Sequence, residues 1–319
     1  MRWTLVAALL LGLAAPAAAD ATLLTSHLRI HDPWVVADET SRTYWLFSKN
    51  DPAVTGEPRV GIMAYASGDL AHWQRPRLVF ALPQGSWADD GGWAPEVHRW
   101  KGRWYLFATF HNEAAALPSP GKRPLYRRAT LLAVADRIDG PYSLIHKGEP
   151  PTPPGDMTLD GTLHVDAAGK PWMVYAHEWL QLGVGTIEAL PLKDDLSPAG
   201  KPRVLFRADA ADWVVGQTQP EGDTGYVTDG PELFRTKTGT LLMLWSSWGK
   251  DGYVQAQARS ASGTLAGPWE QLGPLIERDS GHGMLFRAFD GRLMLVLHRP
   301  FKRALAKFYE MRDGSDRLG

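Results

Sequence analysis

The feature that most constrains this 319-residue chain is a repeat. One short pattern recurs five times: an apolar strand, a polar turn often containing glycine, and a second, more aromatic strand. The copies read DPWVVADETSRTYWLF from Asp32, APEVHRWKGRWYLF from Ala94, DGTLHVDAAGKPWMVY from Asp160, DGPELFRTKTGTLLMLW from Asp229 and HGMLFRAFDGRLMLVL from His282. Turn chemistry and β-rich composition make each a hairpin. The second strands end at Phe47, Phe107, Tyr175, Trp245 and Leu297, so successive units lie 60, 68, 70 and 52 residues apart. That spacing suits blades of about four strands with loops of variable length. Further strand-like stretches fill the gaps, beginning at Val60, Thr130, Gly185 and Tyr253. No amphipathic helix of more than a few turns interrupts the series, which argues against α/β alternatives. The expected fold is all-β, a five-bladed β-propeller formed by residues 20–319 as one domain. The stretch RALAKFYEMRD from Arg303 alternates like a strand completing the last blade.

The first nineteen residues stand outside this repeat. Arg2, an apolar run from Trp3 to about Ala14, and Ala17-Ala18-Ala19 before Asp20 have the layout of a cleaved secretory signal. The run is shorter than the roughly 20 residues of a bilayer-spanning helix. Export to the periplasm or the extracellular space is expected, with no stable membrane insertion. Net charge is −1 and the basic residues are dispersed, so nucleic acid is not an expected partner. The absence of cysteine removes thiol nucleophiles, disulfides and thiolate metal sites. Fourteen tryptophans serve either the core or flat platforms for sugar rings, and composition does not separate the two.

Singly, Asp32-Pro33, Asp160-Gly161 and Asp229-Gly230-Pro231 are ordinary turn dipeptides. Aligning the repeats puts Asp32, Ala94, Asp160, Asp229 and His282 at one equivalent position, just before the first strand of each unit. In a propeller the innermost strands surround the central channel, so equivalent residues at their starts converge at one end of the axis. Three carboxylates and an imidazole would then share a pocket, a costly arrangement unless a ligand, a metal or shifted pKa values relieve it. Two carboxyl groups across a sugar are the minimum equipment for glycosidic cleavage, and a third can tune the acid.

The segments HDPW, WAPEV, LDGT, DGP and GHG, in this order, resemble those of glycoside hydrolase family 43, five-bladed propellers that include α-L-arabinofuranosidases and β-xylosidases. The resemblance covers nearly the whole chain after the leader. It implies an inverting hydrolase that removes terminal or side-chain pentose-type residues from oligo- or polysaccharides, α-L-arabinofuranosyl first, then β-xylosyl or galactofuranosyl. By position, Asp32 matches the general base, Asp160 the carboxylate that tunes and orients the acid, and Asp229 the general acid. Much of the family has glutamate there, in an EGP motif. Aspartate is one methylene shorter, placing the acid about 1.5 Å further from its target. Glu232 is the rival acid, or else a plain strand residue. His282 resembles a histidine that contacts a calcium or sodium ion in the channel, directly or through water; a hydrogen-bonded channel histidine is the alternative. The acid/base chemistry itself requires no cofactor.

Trp34, Trp93 and Trp179 are candidate walls against a sugar, Trp93 foremost, with core packing as the competing use. His177-Glu178 lacks the second histidine of a zinc-protease motif, Gln181 standing in its place, and reads as pocket lining or a surface turn. Glu96 reads as a strand residue near the channel. A noncatalytic carbohydrate-binding propeller is the alternative function; a protein-binding scaffold gives no reason for converging carboxylates.

Overall fold

A computed structural model describes residues 22–119, 123–218 and 222–319; the expected leader lies outside the described residues. Five antiparallel sheets form the blades of a propeller. The first contains Trp34–Asp38, Thr43–Lys49, Gly61–Ser67 and Arg77–Ala81; the second Asp90–Trp100, Arg103–Leu117, Leu125–Ala135 and Ser143–Leu144. The third contains Thr158–Val165, Pro171–His177, Thr186–Pro191 and Arg203–Arg207; the fourth Asp229–Arg235, Leu241–Gly249, Gly252–Ser260 and Trp269–Ile276. The fifth has three strands, Gly281–Arg287, Leu293–Arg299 and Leu305–Met311, the last of them the expected closing strand. Beyond it the ring closes through the N-terminal segment: the Ile30 N–H donates to Ala304 O at 3.2 Å and the Ala306 N–H to Leu28 O at 3.1 Å. Both α-helices among the described residues are single turns of four residues, Pro52–Thr55 and Trp179–Leu182.

The second strands carry the blade-to-blade core. Phe47, Phe107, Tyr175, Trp245 and Leu297, the aromatic or bulky ends of the five repeats, are all 0% exposed. Each such side chain contributes roughly 1.5–3 kcal/mol of burial energy, so a chain without disulfides can hold five sheets in register.

The inner strands do not begin straight. Asp32, Ala94, Asp160, Gly230 and His282 have φ of 47, 43, 54, 50 and 50°, the left-handed region that L-residues rarely occupy. In blades two to five this residue sits in a bulge where the ladder skips, as between Leu159 and Thr162, Asp229 and Glu232, and Gly281 and Met284. The bulge frees two backbone N–H groups that must find acceptors.

The neighbouring blade supplies them. Thr109 Oγ1 accepts the Asp160 N–H at 2.9 Å, and Ser246 Oγ accepts the His282 N–H at 2.8 Å. In the same ladder position His298 places Nδ1 3.3 Å from the Asp32 nitrogen. The residue after the left-handed one is either proline or glycine, and the third strand of the preceding blade answers accordingly. Gly161 and Gly283 donate to Thr130 Oγ1 and Gln255 Oε1 at 2.9 and 2.5 Å. Where Pro33, Pro95 and Pro231 have no N–H, the corresponding third-strand residues are the aliphatic Ala306, Ile62 and Ile187.

This register corrects the repeat alignment. Pro231 matches Pro33 and Pro95, so Gly230, not Asp229, holds the left-handed position in blade four. Asp229 is equivalent to His31, Trp93, Leu159 and Gly281, one residue nearer the mouth of the channel. Glycine is required at 230 because a Cβ there would lie 2.9 Å from the His282 ring.

The caps are testable. Thr109→Val leaves the buried Asp160 N–H without an acceptor and is expected to cost about 1–3 kcal/mol in urea unfolding, while Thr109→Ser retains most of the stability. An unchanged midpoint for the valine variant would show that the hydroxyl is not the cap.

Candidate active site

The five inner strands bring the expected residues together at one end of the channel. His282 Nδ1 lies 3.3 Å from Asp32 Oδ1 and 3.8 Å from Asp160 Oδ2. His298, buried beside them, places Nδ1 3.2 Å from Asp32 Oδ1. Asp160 is 3% exposed, and its Oδ2 accepts the Gly230 N–H at 3.1 Å. Asp229 stands one residue before that glycine and accepts a hydrogen bond from the Tyr253 hydroxyl at 2.8 Å.

Three carboxyl groups of one chemical type are thereby driven apart. Burial works to raise Asp32, but the His282 cation and the His298 hydrogen bond overcome it and hold the carboxyl below the usual carboxylate range. Burial raises Asp160 to about 6, with the Asp32 charge adding to the effect and His282 opposing it. Asp229 is raised well above its ordinary value by burial and then by the charge of Asp160. His282 loses to burial but gains more from Asp32, Asp160 and Asp229, ending at about 9. At neutral pH the site holds an anionic Asp32 and a cationic His282, and burial with the neighbouring Asp160 charge biases Asp229 toward its protonated form.

A pocket of about 310 Å³ opens beside Asp32, lined by His31, Lys49, Trp93, Ala94 and Phe301. Trp93 therefore stands where a sugar-facing wall is needed. Its ring packs on His111 at 4.7 Å and under the Arg128 guanidinium at 4.8 Å. Glu178 is also next to the cluster: it forms a buried ion pair with Arg128, and its charge helps to raise Asp160 and Asp229.

Other expectations are corrected. Trp34 is only 7% exposed, and its indole N–H donates to Val97 O at 3.1 Å, so it walls the channel interior and offers no open platform. Trp179 packs its ring against Gly225 and under Arg123, outside the lining of the Asp32 pocket. His177 is held inside blade three by Glu188 Oε1 at 3.0 Å and Gln181 Oε1 at 2.8 Å, which makes it structural. Glu232 is neither an exposed strand residue nor a neighbour of the mouth. It lies a layer deeper, where Oε2 accepts the Leu285 N–H at 2.8 Å. Sequence reasoning missed His298, Tyr253, Arg128 and Phe301. Only His298 had a signal, its ladder position being the one that supplies caps in Thr109 and Ser246.

A sequence profile of Glycosyl hydrolases family 43 matches residues 25–312. The chain belongs to this family. Among solved structures it is similar to an endo-arabinase from Bacteroides thetaiotaomicron VPI-5482, with 36% identity, a TM-score of 0.82, and coverage of 91% of this chain and 97% of that one. An endo-1,4-beta-xylanase structure from the same bacterium shares the fold at a TM-score of 0.72 and 20% identity, covering 93% of this chain and 96% of that one. Among curated proteins, the extracellular exo-alpha-(1->5)-L-arabinofuranosidase ArbA of Cellvibrio japonicus (strain Ueda107) is 24% identical over 231 residues, 69% of this chain. The chain spans 59% of the length of that relative.

For a family 43 chain the ion expected near His282 can be tested against the donors present. Beneath the carboxylates the channel narrows to a cavity of about 10 Å³, lined by Asp32, Glu96, Glu232 and His282 among others. Glu96 and Glu232 are pushed well above the ordinary carboxylate range by burial; Glu96 is engaged by His98 Nε2 at 2.9 Å and by the Thr162 hydroxyl, and Glu232 Oε2 by the Leu285 N–H. Carboxyl oxygens around a space of one water's size suit a hard cation such as calcium or sodium. His282 turns Nδ1 to the aspartates, and as a cation it would contact such an ion through water. A second grouping, His31, Asp32 and His298, brings one ligand atom each within 4.8 Å of one another.

The Arg128–Glu178 pair lends itself to measurement. Arg128→Met leaves a buried carboxylate without its counter-charge and should destabilise the fold by about 3–5 kcal/mol. Glu178→Gln added to it should restore part of the loss in denaturant melts, and no restoration would mean that the arginine acts by packing alone.

Proposed function

We propose that this family 43 chain is an exported, inverting glycoside hydrolase of α-L-arabinofuranosyl linkages in oligo- and polysaccharides. Asp32 is the general base, Asp229 the general acid, and Asp160 the residue that tunes and orients the acid. The observation that carries the reading is the unequal surroundings of two clustered carboxyls: Asp32 is held ionised by His282 and His298, while burial beside Asp160 pushes Asp229 toward its protonated form. An inverting glycosidase requires one carboxylate to activate water and one carboxylic acid to protonate the leaving oxygen. The arabinan-directed names of two relatives support the sugar, and the leader-like residues 1–19 support export.

In the reaction Asp32 removes a proton from water as its oxygen bonds to the anomeric carbon. The bond from that carbon to the leaving oxygen breaks, and Asp229 delivers its proton there. Asp229 is favoured over Glu232 because Glu232 is held by the Leu285 amide in the layer below. The aromatic face of Trp93 bounds the sugar site on one side. A hard cation, held by Glu96 and Glu232 and reached by the His282 cation only through water, would supply positive charge beneath the carboxylates. Catalysis by these three aspartates requires no step at that ion.

On arabinan and on 4-nitrophenyl α-L-arabinofuranoside, Asp32→Asn is expected to lower kcat/KM by about 10²–10⁴-fold with the fold intact. Proton NMR of the first product should show the inverted anomer; the retained anomer would overturn the assignment of Asp32 as base. No turnover by the wild-type protein, with saturable binding of the oligosaccharide, would favour the noncatalytic carbohydrate-binding propeller. The pH profile offers a separate check. Asp229 works protonated, so activity is lost as pH rises through its raised pKa. Asp160→Asn removes a negative charge that raises this pKa, so the alkaline limb of kcat/KM should move to lower pH. An unmoved limb would remove Asp160 from that role.

A further inference from the structure

Behind the two carboxyls assigned as acid and base, the structure holds a pair of stacked rings. Tyr253 and His298 lie near-parallel in an offset stack, with centroids 5.6 Å apart and planes at 12°. Each is 1% exposed. Phe301 packs on both, at 5.0 Å from Tyr253 and 5.6 Å from His298. His31 closes on His298 at 4.5 Å and Trp248 on Tyr253 at 5.4 Å. Gly281 leaves room for the tyrosine, since a Cβ there would fall 2.4 Å from its ring. The polar end of each ring meets a different carboxyl: the Tyr253 hydroxyl donates to Asp229 Oδ2 at 2.8 Å, and His298 Nδ1 lies 3.2 Å from Asp32 Oδ1.

We infer that the stacked Tyr253–His298 pair is the spacer that fixes where the proton-donating and water-activating carboxyls stand relative to each other, which makes both of them positioning residues of the hydrolytic site. The inference rests on the assignment of Asp229 as acid and Asp32 as base.

Two physical arguments support it. Inversion needs a set gap between the carboxyls, about 6.5–9.5 Å, to admit the attacking water. An aspartate acid, with one torsion fewer than glutamate, has less freedom to absorb an error in its placement. A rigid, desolvated ring stack transmits the position of one carboxyl to the other better than two independent side chains would. The tyrosine also selects an oxygen. Because its hydroxyl donates to Oδ2, the proton of the neutral Asp229 resides on Oδ1, the atom left to protonate the leaving oxygen. When Oδ1 gives up that proton the tyrosine bond remains and steadies the new carboxylate.

Leaving-group dependence tests this, because protonation matters for a sugar alkoxide and little for dinitrophenolate, whereas water activation matters for both. Tyr253→Phe keeps the ring and deletes the hydroxyl. The ratio of its kcat/KM on an arabino-oligosaccharide to that on the 2,4-dinitrophenyl glycoside should fall about 10- to 100-fold below the wild-type ratio. His298→Phe keeps a ring in the stack but loses the Asp32 contact, so its kcat/KM should fall on both substrates with the ratio unchanged. Gly281→Ala, which unseats the tyrosine ring, should reproduce the Tyr253→Phe ratio and serves as the second variant should one fold poorly by circular dichroism. An unchanged ratio in Tyr253→Phe and Gly281→Ala, or a changed ratio in His298→Phe, overturns the inference. Asp229→Asn in the same panel separates the two levels. If it shows no leaving-group signature, the acid assignment fails and the inference falls with it; if it does and Tyr253→Phe does not, only the spacer fails.

Discussion

The site depends on a left-handed residue at the head of each inner strand, whose backbone N–H is satisfied from the preceding blade at Asp160, Gly230 and His282. Four of these five residues are not glycine, and each is held in a conformation that L-residues seldom adopt. The bulge frees the amide, and at Asp160 and His282 a cap on the preceding blade's second strand makes the bulge affordable in a dry channel. The position of an axial side chain is therefore a property of two blades. This matters most at the seam. Asp32 belongs to the first blade and His298 to the last, and the segment that joins them, Leu28 to Ile30 against Ala304 and Ala306, lies two residues from Asp32. Closure of the ring and placement of Asp32 are one structural event.

Within that frame the electrostatics follow from unequal company. Asp32 faces two imidazoles, Asp160 shares His282 with it at a longer distance, and Asp229 receives a tyrosine hydroxyl while lying near the charge of Asp160. Burial alone would push all three upward and leave no base. His282, His298 and His31 together reverse this at Asp32, whereas at Asp160 and Asp229 the pull of His282 is outweighed by burial and by the charge of a neighbouring aspartate. Imidazoles gathered on one carboxyl are thus what separates the three by function.

How much of this was legible in the sequence can be followed through particular residues. The five hairpins and the blade count were readable because strand periodicity and turn chemistry are local. Convergence of Asp32, Asp160 and His282 was readable because a repeat maps equivalent residues to equivalent places. Asp229 was placed one residue out, since aspartate was matched to aspartate; matching Pro231 to Pro33 and Pro95 would have set the register, because the residue after the bulge is the one whose amide must be absent or capped. Trp34 and His177 were misjudged because their partners, Val97, Glu188 and Gln181, come from other elements of the fold. Tyr253 and Phe301 lay beyond reach for the same reason, their roles existing only in contacts between blades, while His298 left one trace, its place in the ladder.

The offset of Asp229 has its own physical origin. At the capping position of the third blade stands Ala176, which has no acceptor to offer. The Gly230 amide, freed by its bulge, therefore has no cap from that strand, and Asp160 Oδ2 takes it instead. That bond draws the Asp160 carboxyl across the blade boundary to the residue adjoining Asp229. The charge so placed is the second cause, after burial, of the raised Asp229 pKa. Glycine at 230 completes the arrangement, because the His282 ring occupies the space a Cβ would need. One missing hydroxyl and one missing Cβ, in different blades, thus join two aspartates from separate repeats into a single coupled acid.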